Sequence, residues 1–357
     1  MSFRTDNRDY ETWLKQHCRV VLSDLNSKHE RMRRDPFSFL RATFFRWANT
    51  VETICPDLAD APAVLSVGDA HVENFGTWRD AEGRLVWGVN DFDEAAVIAY
   101  PFDLVRLATS AGLAPRNALG ARATATAILR GYRQGLADPT PTLLDKADPW
   151  MAPLVTTSAQ DRRRFWKRMK RCPAPKAPNT LPREVRAGLR KMLPVDAKSI
   201  SFAARVAGCG SLGRPRFIAR ADWRGDHVVR EAKALVPSAW LWAHDRSGDH
   251  MPFMDLATGK HRSPDPYLHV AGKFIYRRLA ADSHKIDIAQ NPRVTAALLE
   301  AMGFDLGAIH AADSRARAVK RDLERRPRSW LYKAARAARK SVEADYAEWT
   351  RARRKTR

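Results

Sequence analysis

Cysteine is scarce in this chain: four in 357 residues, at Cys18, Cys55, Cys172 and Cys209, with no C-x-x-C pair among them. Such spacing supplies neither a disulfide framework nor a zinc site, and it suits a reducing compartment. Long apolar runs are also missing. No stretch approaches the roughly 18 to 20 apolar residues of a membrane span, and the opening MSFRTDNRDYETWLKQ has no signal-peptide core. The expectation is a cytoplasmic protein without a membrane partner. Acidic residues are in deficit too: 40 Asp and Glu stand against 62 Lys and Arg, a formal charge of +22 with a pI near 10.4. An imbalance of that size points to polyanionic partners.

What is present suffices for a core. With 45% hydrophobic and 29% charged residues the chain is no disordered tail, and its length favours two packed lobes over one domain. The charge is concentrated. Residues 161–193 hold 12 basic and 2 acidic side chains and residues 315–357 hold 16 and 5, which leaves 34 against 33 elsewhere. Nucleic acid is one partner for such segments; a solvated charge run is the other reading.

Periodicity and turn chemistry divide the chain into five parts. Residues 1–63 form an N-terminal helical region broken by Pro36 and Pro56. Residues 64–160 begin with short strands around a turn at Asp80 to Gly83 and return to helical spacing from Asp103. The basic segment 161–198, with prolines at 173, 175, 178 and 182, is expected to be a linker. Residues 199–290 are strand-rich, with a turn at Trp223 to Asp226. Residues 291–357 are helical again, opened by an Asn291-Pro292 cap; Leu331, Ala335, Ala338, Val342, Tyr346 and Trp349 share one face of the last helix.

The densest polar constellation is GDAHVENFG followed by NDFDEA, between Gly68 and Ala95. From Gly68 to Asp103 there are eight acidic residues and only Arg79 and Arg84 to offset them. Clustered carboxylates raise one another's pKa unless a cation lies between them. Asp91, Asp93 and the Asn74 amide are hard oxygen donors of the kind Mg²⁺ takes. Asp69 and Asn74 form D-x-x-x-x-N, and an Asp opens D-F-D after a short hairpin. In kinases a loop Asp receives the substrate hydroxyl proton, an Asn five residues on holds Mg²⁺, and a later Asp holds Mg²⁺ at the phosphates. The plainer reading is a polar turn followed by a helix N-terminus rich in acids. His71, beside the carboxylates, reads as a hydrogen-bonded structural histidine.

A second constellation is Gly208-Cys209-Gly210-Ser211-Leu212-Gly213, a G-x-G-x-x-G. A dinucleotide fingerprint opens a helix, but here RFIARAD continues as a strand and HVVREAKAL follows a turn. A glycine hairpin over phosphates with a basic residue on the next strand is the kinase arrangement. That residue is Lys233 or Arg230; their odd separation places them on opposite faces of a strand, so one of them faces a nucleotide. Lys285 is a further candidate.

At these residues the chain resembles the bacterial family of unknown function DUF2252, through PFSFLRA (Pro36 to Ala42), GDAHVENFG, NDFDEA with PFDLVRLATS after it, RVAGCGSLG and REAKALVPS. The two acidic motifs are also similar to the catalytic loop and metal-binding Asp of aminoglycoside and choline phosphotransferases, relatives of protein kinases. The resemblance implies Asp69 as catalytic base, Asn74 and Asp91 as Mg²⁺ ligands, with Asp93 a further metal candidate, and Gly208, Gly210, Ser211 and Gly213 over ATP. It also implies an α+β, two-lobed protein-kinase-like fold. The order departs from that family, since the glycine loop follows the catalytic loop and LGAIHAA (Leu306 to Ala312), similar to the helix that leads into that loop, lies near the C-terminus. A circular permutation joining Ala312 to Val64 accounts for both and requires Ala312 to lie close to Ala63. The family's K-E-A reads Arg230-Glu231-Ala232 here, which leaves the phosphate-contacting base open. The expected activity is ATP- and Mg²⁺-dependent phosphoryl transfer to a hydroxyl acceptor, for which an anionic compound suits the basic segments. The alternatives are AMP transfer by the same groups, and a non-catalytic nucleotide-binding or nucleic-acid-associated protein.

Overall fold

The computed structural model describes residues 2–351 except 116, 118, 145–149, 152–155, 178, 247, 249–250 and 284–294. Lys285 and the Asn291-Pro292 cap lie outside the described residues.

Four helices open the chain: α1 (Phe3–His17), α2 (Leu22–Met32), α3 (Pro36–Ala42) and α4 (Phe44–Ile54). Local chemistry starts two of them. The Ser2 hydroxyl accepts from Thr5 N–H, and Asp35 accepts from Ser38 N–H just before Pro36 in the first turn. The last helix, α13 (Trp330–Arg351), returns against this group. Phe3 packs on Phe39 at 4.7 Å and edge-on to Trp349 at 5.6 Å, while Arg46 reaches Asp6 at 2.6 Å and Asp345 at 2.9 Å. Leu331, Ala338 and Trp349 are buried, so the expected apolar face of the last helix is the one that packs.

Strands β1 (Ala63–Ser66) and β4 (Ala96–Ala99) pair, and between them β2 (Phe75–Arg79) and β3 (Leu85–Val89) form a hairpin that also takes β5 (Thr142–Leu143). The hairpin turns where DAEG stands. Asp80 accepts from the N–H groups of Glu82 and Arg84 and so folds the turn on itself. Helices α5 (Pro101–Leu113) and α6 (Ala121–Ala137) follow, and α6 packs along α11 (Thr295–Ala311). That crossing depends on glycine. A Cβ on Gly135 would lie 1.9 Å from the Phe304 carbonyl oxygen, and one on Gly307 would lie 2.3 Å from that of Tyr132, so the two backbones approach more closely than alanine allows.

The second part is a five-stranded antiparallel sheet in the order β6 (Lys198–Ala204), β7 (Arg216–Trp223), β8 (Asp226–Ala234), β10 (Phe274–Leu279), β9 (His269–Ala271). The β7–β8 turn pairs Trp223 with Asp226 across Arg224 and Gly225, both at positive φ (47° and 85°), as a two-residue hairpin loop demands. Two short helices, α9 (Ala239–Ala243) and α10 (Phe253–Ala257), lie between β8 and β9, and α12 (Ala316–Arg325) precedes α13.

The basic segment expected as a linker is instead part of this sheet's packing. Helix α7 (Ala159–Lys170) opens with a Ser158–Asp161 capping box and buries Phe165 and Met169 against Ala203, Ile218 and Val229. Helix α8 (Arg183–Lys191) buries Val185 and Leu189 against Phe217, Ala219 and Ala232 on the opposite face. The prolines fall between the two helices, where they separate them without preventing either. The remaining core is continuous from the N-terminal helices through β1–β4 to α13. At the end of α11, Asp313 accepts from Leu65 N–H at 3.0 Å and Arg315 donates to the Ala63 carbonyl at 2.8 Å. The C-terminal end of α11 therefore adjoins the start of β1.

Candidate active site

The loop after β1 is held from below by α5. Asp103 accepts the N–H of Val67 at 2.8 Å and of Gly68 at 2.9 Å, and His310 of α11 reaches the same carboxylate at 3.2 Å while its other ring nitrogen meets the Tyr132 hydroxyl at 2.9 Å. Gly68 has φ +77°, and a Cβ there would fall 2.2 Å from the Glu94 carbonyl oxygen, so the turn that presents Asp69 requires glycine. Arg106, one turn beyond Asp103 on α5, donates from Nε (2.9 Å) and Nη2 (2.6 Å) to Oδ1 of Asp69 and from Nη2 to the Leu40 carbonyl. Oδ2 of Asp69 lies 3.7 Å from Nε2 of His71. The His71 Nδ1 accepts the Glu73 N–H, which leaves Nε2 as the protonated nitrogen of a neutral ring. Burial raises the Asp69 pKa, with Arg106 opposing.

Asn74 closes the loop. Its Nδ2 donates to the Asp69 carbonyl at 3.1 Å and the Asp91 carbonyl at 2.9 Å, so one amide ties the two motifs together. Its Oδ1 is buried and has no hydrogen-bond partner, and the same is true of Oδ1 of Asp93. Lys233, at the end of β8, lies between the acids: Nζ donates to Asp91 at 2.9 Å and is paired with Asp93. Arg214 reaches Asp93 at 3.3 Å and Glu94 at 2.8 Å. Burial and the neighbouring Asp91 charge push the Asp93 carboxyl up to about 6. At Asp91 burial acts the same way, but the Lys233 charge outweighs it and holds that carboxyl well below the usual range. The pair therefore ionises in two steps.

The glycine loop between β6 and β7 lies over this cleft. Gly208, Cys209, Gly210 and Ser211 line the same small space, about 60 Å³, as Asp69, Asn74, Asp91 and Asp93. A Cβ on Gly210 would stand 3.8 Å from Oδ2 of Asp69. The loop is anchored to the N-terminal helices, with Arg31 donating to the Gly208 carbonyl at 2.5 Å and Val21 N–H to the Gly213 carbonyl at 2.8 Å. Beyond Gly208 and Asp91 a larger cavity of about 570 Å³ opens beneath the sheet.

Asp69, Asn74, Asp91, Asp93, Lys233 and the loop from Gly208 to Ser211 thus converge. Gly213 lies farther off, 3.5 Å from Leu25 by the same Cβ measure. Arg230 does not join them. Its position three residues before Lys233 turns it to the other face, where Nε donates to the Met192 carbonyl at 3.1 Å and the guanidinium covers Tyr267 at 4.4 Å. Among the described residues no group of three or more His, Cys, Asp or Glu side chains is arranged to hold a metal ion. The oxygen donors available are two carboxylates and the Asn74 amide, with unpartnered oxygens on Asn74 and Asp93, and that donor set fits a hard divalent ion that keeps other ligands from water or phosphate. Sequence reasoning missed Asp103, Arg106, Glu94 and Arg214, although two charges three residues apart in the apolar helix PFDLVRLATSAGL have to find buried partners.

Residues 20–171 match the family described as an uncharacterized protein conserved in bacteria (DUF2252), the family its motifs resemble. The matched segment carries Asp69, Asn74, Asp91, Asp93 and Arg106 and ends before the glycine loop. No curated protein and no solved structure matches the chain. Among the described residues no helix is long and apolar enough to cross a membrane.

Proposed function

We propose that the chain is an ATP- and Mg²⁺-dependent phosphotransferase acting on a hydroxyl acceptor, with a kinase-like arrangement in permuted order. The observation that carries this reading is the convergence on one cleft of a glycine loop, a strand lysine and the Asn74–Asp91–Asp93 oxygens with Asp69, although Asp69 and Gly208 are almost 140 residues apart in sequence. The contacts of Asp313 with Leu65 and of Arg315 with Ala63 support the permutation, which needs the end of α11 beside the start of β1.

In this reading Oδ2 of Asp69, the oxygen not held by Arg106, receives the acceptor's proton as the acceptor oxygen bonds to the γ-phosphorus and the bond from that phosphorus to the bridging oxygen breaks, with ADP leaving. Lys233 and the glycine-loop N–H groups hold phosphate oxygens. Asn74, Asp91 and Asp93 would hold Mg²⁺, which neutralises phosphate charge. The test is thermal unfolding of the whole chain with ATP and Mg²⁺. We expect stabilisation that needs both and is lost in Asp91→Asn. A shift that needs no metal and survives in Asp91→Asn points instead to non-catalytic binding, and no shift at all overturns the reading.

A further inference from the structure

The cavity beneath the sheet is walled by arginine. Arg205, Arg216 and Arg277 all pair with Glu231, whose side chain is fully buried. One carboxylate therefore answers three guanidiniums, of which Arg216 is itself only 6% exposed. Arg205 and Arg277 are 21% and 27% exposed, so part of this excess positive charge is open to solvent, where an anion can reach it. The apolar part of the same sheet face, Ala203, Ile218 and Val229, is already covered by Phe165 and Met169 of α7. Of the five-stranded sheet's residues along the cavity, Arg216, Arg277 and Arg278 are charged and Leu279 is apolar, while Trp78, Val89, Phe92 and Phe165 line it from other elements. The sheet's own contribution to the cavity is thus mainly positive charge. Helix α7 adds Arg164 and Arg168 to the cavity lining. Arg164 is 3.9 Å from Asp161 with its side chain 65% exposed, and Arg168 is exposed, so both can turn toward a ligand while Phe165 and Met169 fix the helix.

We propose that this cavity is an oligophosphate site: the ligand is read mainly through its phosphate chain, by Arg205, Arg216 and Arg277 from the sheet side and by Arg164 and Arg168 from α7. Guanidinium forks suit phosphate oxygens in geometry as well as charge. The inference rests on the nucleotide-dependent reading of the adjoining acidic cleft and gives the segment 159–170 a binding role.

The experiment is titration of the whole chain with inorganic tripolyphosphate, adenosine, ATP and GTP, each with Mg²⁺, in wild type and in the double variant Arg164→Glu with Arg168→Glu. Tripolyphosphate should bind, adenosine should not, and ATP and GTP should differ by only a few fold. The double variant should weaken tripolyphosphate by about tenfold or more, with a flatter salt dependence, while its unfolding midpoint without ligand stays at the wild-type value because both side chains are exposed. Adenosine binding as well as ATP, or a double variant with unchanged tripolyphosphate affinity, overturns the proposal. Tripolyphosphate binding that is sensitive to the double variant yet indifferent to Mg²⁺ and to Asp91→Asn leaves the arginine site standing and removes the phosphotransfer reading instead.

Discussion

Arg106 donates from two nitrogens to the same oxygen of Asp69, and its side chain is only 1% exposed while that of Asp69 is 16% exposed. The guanidinium also lies over the rings of Phe44 and Trp47 at 5.4 and 5.1 Å. Removing the arginine strands a carboxylate in a largely dry site. Arg106→Met should therefore cost about 3 to 5 kcal/mol, measured by urea unfolding. Asp69→Asn, combined with it, should recover part of that loss because the uncharged amide needs no cation. Equal stability of the single and double variants would sink the idea that the pair is coupled.

The chain Tyr132–His310–Asp103 ends on the backbone N–H groups of Val67 and Gly68, so α6 and α11 brace the Asp69 loop through two side chains. Tyr132→Phe removes one hydrogen bond and should cost about 1 kcal/mol. His310→Ala also leaves a cavity and takes one of three hydrogen bonds from the Asp103 carboxylate, and should cost about 2 to 4 kcal/mol. Amide exchange at Val67 and Gly68 should accelerate in His310→Ala beyond what the global loss explains; exchange that tracks global stability alone would remove the bracing role.

How much of this was legible follows from how local each signal is. The acidic motifs fall within Gly68 to Ala95, where unpaired carboxylates must find a cation, and the DAEG and WRGD turns are decided by residues inside them. Arg106 finds Asp69 at a sequence distance of 37, and the Glu231 cluster joins Arg205, Arg216 and Arg277 only once strand register is set. The sequence could not show either pairing. Strand alternation puts Lys233 and Arg230 on opposite faces, but which of them faces the acidic cleft depends on the sheet's orientation. In the basic segment Phe165 with Met169 and Val185 with Leu189, two apolar pairs at four-residue spacing, decide the structure more than the prolines between them.

Helix crossing gives a prediction with opposite signs at two glycines. Gly135 meets the Phe304 carbonyl, with a Cβ there reaching 1.9 Å, whereas a Cβ on Gly112 of α5 finds nothing nearer than Arg339 Cδ at 4.0 Å. Gly112→Ala should stabilise by about 0.5 to 1 kcal/mol through helix propensity and unfolded-state entropy. Gly135→Ala should destabilise by at least about 1 to 3 kcal/mol, since α6 and α11 must move apart. Thermal unfolding of both variants decides it, and two shifts of the same sign would contradict the packing argument.

Glu231 supplies an acid-dependent term. Its burial favours protonation, but the charges of Arg205, Arg216 and Arg277 outweigh this and hold its pKa well below the ordinary carboxylate value. A carboxyl depressed in the folded state adds stability that is fully present above the unfolded pKa of about 4.3 and is lost as pH falls through the folded value. Glu231→Gln should be destabilised at pH 7, where three guanidiniums lose their shared partner, and should be partly rescued by salt. The gap between wild type and variant should narrow as pH drops below about 4.3, because the wild-type advantage titrates away and the variant has none to lose. Urea midpoints between pH 7 and pH 3 measure the gap; two parallel curves would mean that the Glu231 charge contributes nothing across this range.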